Sequence, residues 1–202
     1  MMRLAQIISV IGHPLFMPLY AVGLMFRFNP YLSLQVPDVI QRLVFGVLII
    51  FTLLLPSVTA FGLKKLGVIK SVYMRTAEER KWPFLFTLLW YYLGFELLTE
   101  LTLPLSLYLL MIGAISVILV AHFITIRWKI SVHMIGIGGV IGAMAGISYR
   151  FQYDHFYLIT ALIFIAGLIG FARLKTESHN YRQVYAGFFL GFIVEWLAVS
   201  LF

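Results

Sequence analysis

The chain has 202 residues, of which 62% are hydrophobic and only 11% charged. Soluble domains carry about a quarter charged residues, and a globule of this size cannot hide so much apolar surface from water. A bilayer can, because lipid is then the solvent. The formal net charge of +7 sits in short connectors between apolar runs. That points away from nucleic acid and towards membrane topology and lipid phosphates. Cysteine is absent, which excludes disulfide and thiol chemistry without deciding the compartment.

A span needs about 20 mostly apolar residues. On that measure the sequence predicts an all-α, polytopic transmembrane helical bundle of six to seven spans, one integral membrane domain over 1–202. The first span covers residues 4–26, with Pro14 and Pro18 as kinks. Its start, Met1-Met2-Arg3 before an apolar run, has the look of a signal peptide. His13, Pro14, Pro18 and the lack of a small-residue cleavage site make it read as a span instead. A connector with Asn29, Pro30, Pro37, Asp38 and Arg42 precedes the second span, 43–61. The longest polar stretch, 64–83, is the best candidate for a functional loop. The third span starts near Phe84, and a break at 101–104 leads into the fourth, which ends near Ile126. A re-entrant hairpin at Pro104 would reduce the count to six. After the basic connector 127–129, the fifth span covers 131–148. The connector 149–155 leads to the sixth, ending near Ala172; 174–182 is the last polar loop, and the seventh span covers 184–202.

The fifth span carries Gly138, Gly142 and Gly146 at a spacing of four, and the last carries Gly187 and Gly191. Small residues at that spacing let two helix backbones approach closely. Alternation of the spans gathers the N-terminus and the loops at 64–83, 127–130 and 173–182 on one side. That side holds all but Arg27, Arg42 and Arg150 of the 15 Lys and Arg residues. The positive-inside rule puts those loops in the cytoplasm, as for a bacterial inner-membrane protein.

Three polar clusters end spans on that same side. They are 75–83, from Arg75 to Pro83; 129–133, with Lys129, Ser131 and His133; and 173–183, with Arg173, His179 and Gln183. Ser131 and Ser178 stand where helix N-caps belong. Helix N-termini offer free N–H groups and partial positive charge, which suits an anion. Arg75, Arg80, Lys129 and Arg173 have the chemistry to hold a phosphate, Arg in bidentate fashion. One histidine can attack phosphorus while the other protonates the leaving oxygen.

These residues resemble the type 2 phosphatidic acid phosphatases, relatives of the vanadium haloperoxidases, over about 75–191 of a signature-bearing core of 64–202. That family's signatures read Lys, six residues, Arg-Pro; then Pro-Ser-Gly-His; then Ser-Arg, five residues, His, three residues, Asp. Arg173 and His179 match the third at its spacing, with Ala172 for Ser and Gln183 for Asp. Ser131 and His133 match the second, with Ile130 and Val132 for Pro and Gly. Pro83 matches the first, Arg75 takes the Lys position, and Trp82 replaces Arg, for which Arg80 or Lys81 is a candidate stand-in. The resemblance implies a metal-independent, cofactor-free hydrolase acting on a phosphomonoester or diphosphate of a phospholipid or polyprenyl lipid. It implies His179 as the nucleophile forming a phosphohistidine and His133 as general acid. Arg75, Ser131 and Arg173 would hold the phosphoryl oxygens, and Gln183 would orient His179. An amide accepts the hydrogen bond of the family's Asp but brings no charge; in the serine-protease triad such a change cut turnover by about 10⁴.

Other readings stand beside this one. A catalytically degenerate lipid-binding or scaffold protein on the same fold accounts for Gln183 and Trp82, and a transporter accounts for an intramembrane carboxyl. Lys64, Lys65, Lys70, Arg127, Lys175 and Arg182 read as topology markers, and His13 and His122 as structural hydrogen-bonders. Glu195, deep in the last span, is expected to pair or to be protonated. No two histidines share a helix face at short spacing, so no metal is expected.

Overall fold

The computed structural model describes residues 2–72, 74, 76 and 78–201. Among them, contiguous helical stretches give eight helices and no strand. Helix α1 is Met2–Phe28, α2 the short Pro30–Gln35, and α3 Asp38–Lys65. Helix α4 is Lys81–Thr99, α5 Leu105–Arg127, α6 Val132–Phe151, α7 Phe156–Lys175 and α8 Tyr181–Leu201. All but α2 and α4 are long and apolar enough to cross a membrane, so the chain is an integral membrane protein with six candidate spans. Helix α4 has 19 residues and packs along α5, but Lys81 and Glu96 lower its hydropathy. The turn at 101–104 holds no re-entrant hairpin. Pro104 starts α5, and the Tyr108 hydroxyl accepts from the Leu103 N–H (3.0 Å) while donating to the Leu101 carbonyl.

The prolines act where the sequence predicts. Proline lacks an N–H and its ring clashes with the preceding turn. Accordingly α1 divides into Met2–Ile11 and Met17–Phe28, joined by a tight turn over Pro14–Phe16. Helix α3 adopts a π-helical turn over Ile49–Leu54, just before Pro56. Such π-turns are rare and recur at functional sites.

The most extensive helix–helix contact joins α6 and α8, which run parallel. A Cβ on Gly138 or Gly142 would collide with the carbonyl oxygens of Phe188 or Phe192. Conversely, a Cβ on Gly187 or Gly191 would collide with those of Ser131 or Ile135. Four glycines therefore form one seam along which two backbones touch. Because the helices are parallel, the seam also brings both of their N-termini to the same face. At the opposite face His155 clamps the bundle: its Nε2–H donates to the Phe28 carbonyl (3.1 Å), and its Nδ1 accepts from the Ser148 hydroxyl (2.8 Å).

Two outcomes follow from this architecture. Gly191→Val places a side chain against backbone that cannot swing aside, so it should cost about 3 kcal/mol or more, seen as a lowered Tm of the detergent-solubilised protein. Retention of the wild-type Tm would mean the helices are not in backbone contact. The cysteine-free chain also allows single-cysteine mapping of topology. The Arg80 bond to Ile130 sets the start of α4 beside the end of α5, so α4 runs the length of α5 and crosses with it. An impermeant maleimide should then label Tyr153→Cys from outside intact cells and Ser71→Cys only after permeabilisation; labelling of both from one side would mean that α4 does not cross, and the reverse pattern would invert the expected orientation.

Candidate functional site

The glycine seam sets the geometry of the site. It holds the start of α6 against the start of α8, where the Ser131 N–H donates to the Gln183 carbonyl (3.3 Å). His133 stands in the first turn of α6, and His179 lies two residues before α8. The connector ahead of α4 folds back over this end. Glu79 fixes it by accepting from the backbone N–H groups of Lys70 (2.9 Å) and Thr76 (3.3 Å). That carries Arg80, 6% exposed, inward, so that its Nη1 donates to the Ile130 carbonyl at 2.9 Å. Lys129 donates to the Ser178 carbonyl at 3.0 Å.

Helix α1 supplies a part that sequence reasoning missed. Ser9 is bonded twice: its carbonyl lies 3.1 Å from Nε2 of His133, and its hydroxyl accepts from Nη1 of Arg173, also at 3.1 Å. Four residues on, the His13 ring meets the His133 ring edge-to-face, centroids 5.4 Å apart. A lone Ser in an apolar run carries no local signal, and only the kink and packing of α1 bring it here. His13 was visible in the sequence but read as structural.

Most of the residues expected to act together line one cavity of about 1250 Å³: Arg80, Lys129, His133, Arg173 and His179, with His13 beside them. Arg75 lies outside the described residues. Lys81 is exposed and stacks over Trp82, so of the two candidate stand-ins for the missing Arg, Arg80 is the one turned inward. Ser131 corrects its expectation. It is fully buried, and its hydroxyl makes no cap bond, has no hydrogen-bond partner among the described residues and does not line the cavity. Ser178 is not the cap of α8 either. Asn180 takes that place, accepting from the Gln183 N–H at 3.0 Å, while Gln183 Oε1 accepts from the Asn180 N–H at 3.2 Å. This reciprocal pair is a capping box.

Gln183 thus does two things at once. The same Oε1 lies 3.0 Å from His179 Nδ1. A carbonyl oxygen only accepts, so Nδ1 carries the proton and Nε2 keeps its lone pair. Burial first, and then Arg80, Lys129 and Arg173, push the His179 pKa down to about 4, against the opposing effect of the Gln183 bond. Its ring is neutral at pH 7 in the ligand-free protein. Arg80, held down to about 10 by burial and by Arg173, stays charged.

Electrostatically the cluster is one-sided. Among the described residues, neither Arg80 nor Arg173 has a carboxylate partner; each donates to neutral oxygens only, and Arg173 Nε is buried without any acceptor. Below the cluster the cavity turns mainly apolar, through Tyr91, Leu110, Val117 and Val140, and reaches Glu195. The Glu195 carboxyl fills the notch left by Gly113 and Gly139. Of the two expectations for Glu195, pairing or protonation, no hydrogen-bond partner for its Oε2 lies among the described residues. Lys64, Lys65, Lys70, Arg127, Lys175 and Arg182 are exposed, as topology markers should be. Comparison with family models, with curated proteins and with solved structures returns no match.

The depressed His179 pKa has a measurable consequence. Between about pH 6.5, the ordinary histidine value, and about pH 4, the unfolded chain takes up a proton that the folded site refuses. Stability present at neutral pH is therefore lost as pH falls through this window. Tm of the ligand-free protein should drop across it, and His179→Asn should flatten part of that drop. Parallel profiles for the two proteins would contradict the assigned burial.

Proposed function

We propose that this protein is a phosphohydrolase acting on a lipid phosphate, with the reaction carried by two histidines in a cationic pocket. The observation that supports it most is the convergence of Arg80, Arg173 and Lys129 on His179, with no carboxylate partner for either arginine among the described residues. Buried cations left in this way need an anion. Guanidinium pairs suit phosphate, and the apolar extension of the cavity suits the lipid's chain.

In this reading His179 Nε2, its lone pair assured by Gln183, attacks phosphorus and a P–N bond forms as the P–O bond to the lipid breaks. His133 protonates the leaving oxygen. Its Nε2–H is committed to the Ser9 carbonyl, so the proton it gives must sit on Nδ1, taken up together with the phosphate whose negative charge offsets Arg173. Water then attacks the phosphohistidine, returning a proton to His133 and releasing phosphate. Arg173 and Arg80 hold the phosphoryl oxygens, with Arg75 as a further candidate. Ser131 acts from behind, through its backbone bond to Gln183.

Gln183 favours a second reading. It is fully employed as a capping-box residue, and a neutral acceptor stabilises an imidazolium less than a carboxylate does. A binding protein for lipid phosphates without turnover fits that observation.

Phosphate release from lysophosphatidic acid or a polyprenyl phosphate by the purified protein separates the two. His179→Ala should abolish release, and His133→Ala should lower it by about 10²–10⁴. Gln183→Glu keeps the reach and the cap, adds the charge and should raise turnover. Equal release by wild type and His179→Ala would remove the hydrolytic reading, and binding without release in both wild type and Gln183→Glu would favour the second.

A further inference from the structure

We propose that His13, at the kink of α1, is a phosphoryl-binding residue: a neutral imidazole whose Nε2–H donates a hydrogen bond to an oxygen of the bound phosphate. The proposal rests on the phosphate reading above and adds to it a group from outside the three signature clusters.

Proline at position 14 has no N–H, so the first backbone donor after His13 belongs to Leu15. The His13 side chain caps it, with Nδ1 accepting at 3.4 Å. A backbone N–H only donates, so Nδ1 must hold its lone pair and the ring proton sits on Nε2. A second proton on Nδ1 would face the Leu15 N–H, so the cap itself holds the ring neutral. Among the described residues nothing accepts from Nε2, although His13 is mostly buried and lines the cavity beside His133.

The three histidines thereby take three different states. His179 has Nδ1 tied to Gln183 and Nε2 unprotonated. His133 has Nε2 tied to Ser9 and Nδ1 uncommitted among the described residues. His13 has Nδ1 tied to Leu15 and its N–H uncommitted. A neutral ring in that last state is a poor proton source but a good fixed donor to a phosphoryl oxygen. It brings no further charge into a pocket that already holds Arg173 and Arg80. The Ser9 bonds to His133 and Arg173 keep the kink, and so His13, in register with both.

Orthovanadate, a mimic of the transferring phosphoryl group, is the probe, with the full-length protein in detergent micelles. His13→Ser keeps an oxygen to cap Leu15 but loses the reaching N–H. His13→Gln carries an amide N–H out towards the position of Nε2. The serine variant should bind orthovanadate about tenfold more weakly at an unchanged Tm, and the glutamine variant should recover most of that loss. In parallel, ¹⁵N-histidine spectra of the wild type should show His13 as the Nε2–H tautomer, with a signal that shifts on adding orthovanadate. Wild-type affinity in His13→Ser, or an unmoved His13 signal in a protein that binds orthovanadate, overturns the role of His13 alone. Absence of orthovanadate binding by the wild type overturns the phosphate reading and this proposal together.

Discussion

Everything distinctive about this bundle depends on the backbone contact between α6 and α8. Two parallel helices ordinarily stand 8–10 Å apart, set by their side chains. Here Gly138, Gly142, Gly187 and Gly191 remove the side chains where the helices cross, and carbonyl oxygens fill the space. The contact fixes the helices in register as well as in distance. With that register set, the Gln183 carbonyl meets the Ser131 N–H, and His133 and His179 face one cavity. In lipid there is no hydrophobic drive to bring helices together, so close packing of this kind must supply the association.

The second constraint is charge. Arginine inside a membrane domain is costly unless something answers it. Neutral oxygens satisfy part of the donor set of Arg80 and Arg173, but Arg173 Nε remains without an acceptor among the described residues. The same cations, after burial, hold His179 neutral. A bound dianion would answer both conditions, giving the guanidiniums their counter-charge and leaving the His179 lone pair facing it. The arrangement stores its polarity at one face, and the cavity runs from there into the mainly apolar interior of the bundle.

Much of this was legible in the chain because the physics that sets it is local. Apolar run length placed six of the seven expected spans to within a few residues, while the third is α4, a helix too polar to qualify as one; proline chemistry predicted the α1 kink, and glycine spacing the close packing of α6 and α8. The gathering of the clusters at 129–133 and 173–183 was legible as well, since helix ends on one side of a membrane must gather, but the choice between Arg80 and Lys81 was left to the fold of the connector. What stayed hidden is non-local or depends on competition between partners. Ser9 matters only because α1 bends against α7. Ser131 looked like a cap and phosphate ligand, yet its hydroxyl is buried and does not line the cavity. Ser178 lost the cap to Asn180, whose better acceptor pairs with Gln183 in a box. Gln183 looked like a chargeless replacement for an orienting aspartate; in the structure its oxygen accepts from His179 as expected and, in addition, caps the start of α8.

The proposed chemistry turns on His179 Nε2 as the attacking atom. The most direct measurement is to quench the protein under alkaline conditions during turnover of a lipid phosphate and map any phosphorylated residue by mass spectrometry. A phosphoryl group is expected on His179, accumulating further when His133 is replaced and water activation is slowed. Phosphate release with no phosphorylated histidine, or with the label on another residue, would contradict it.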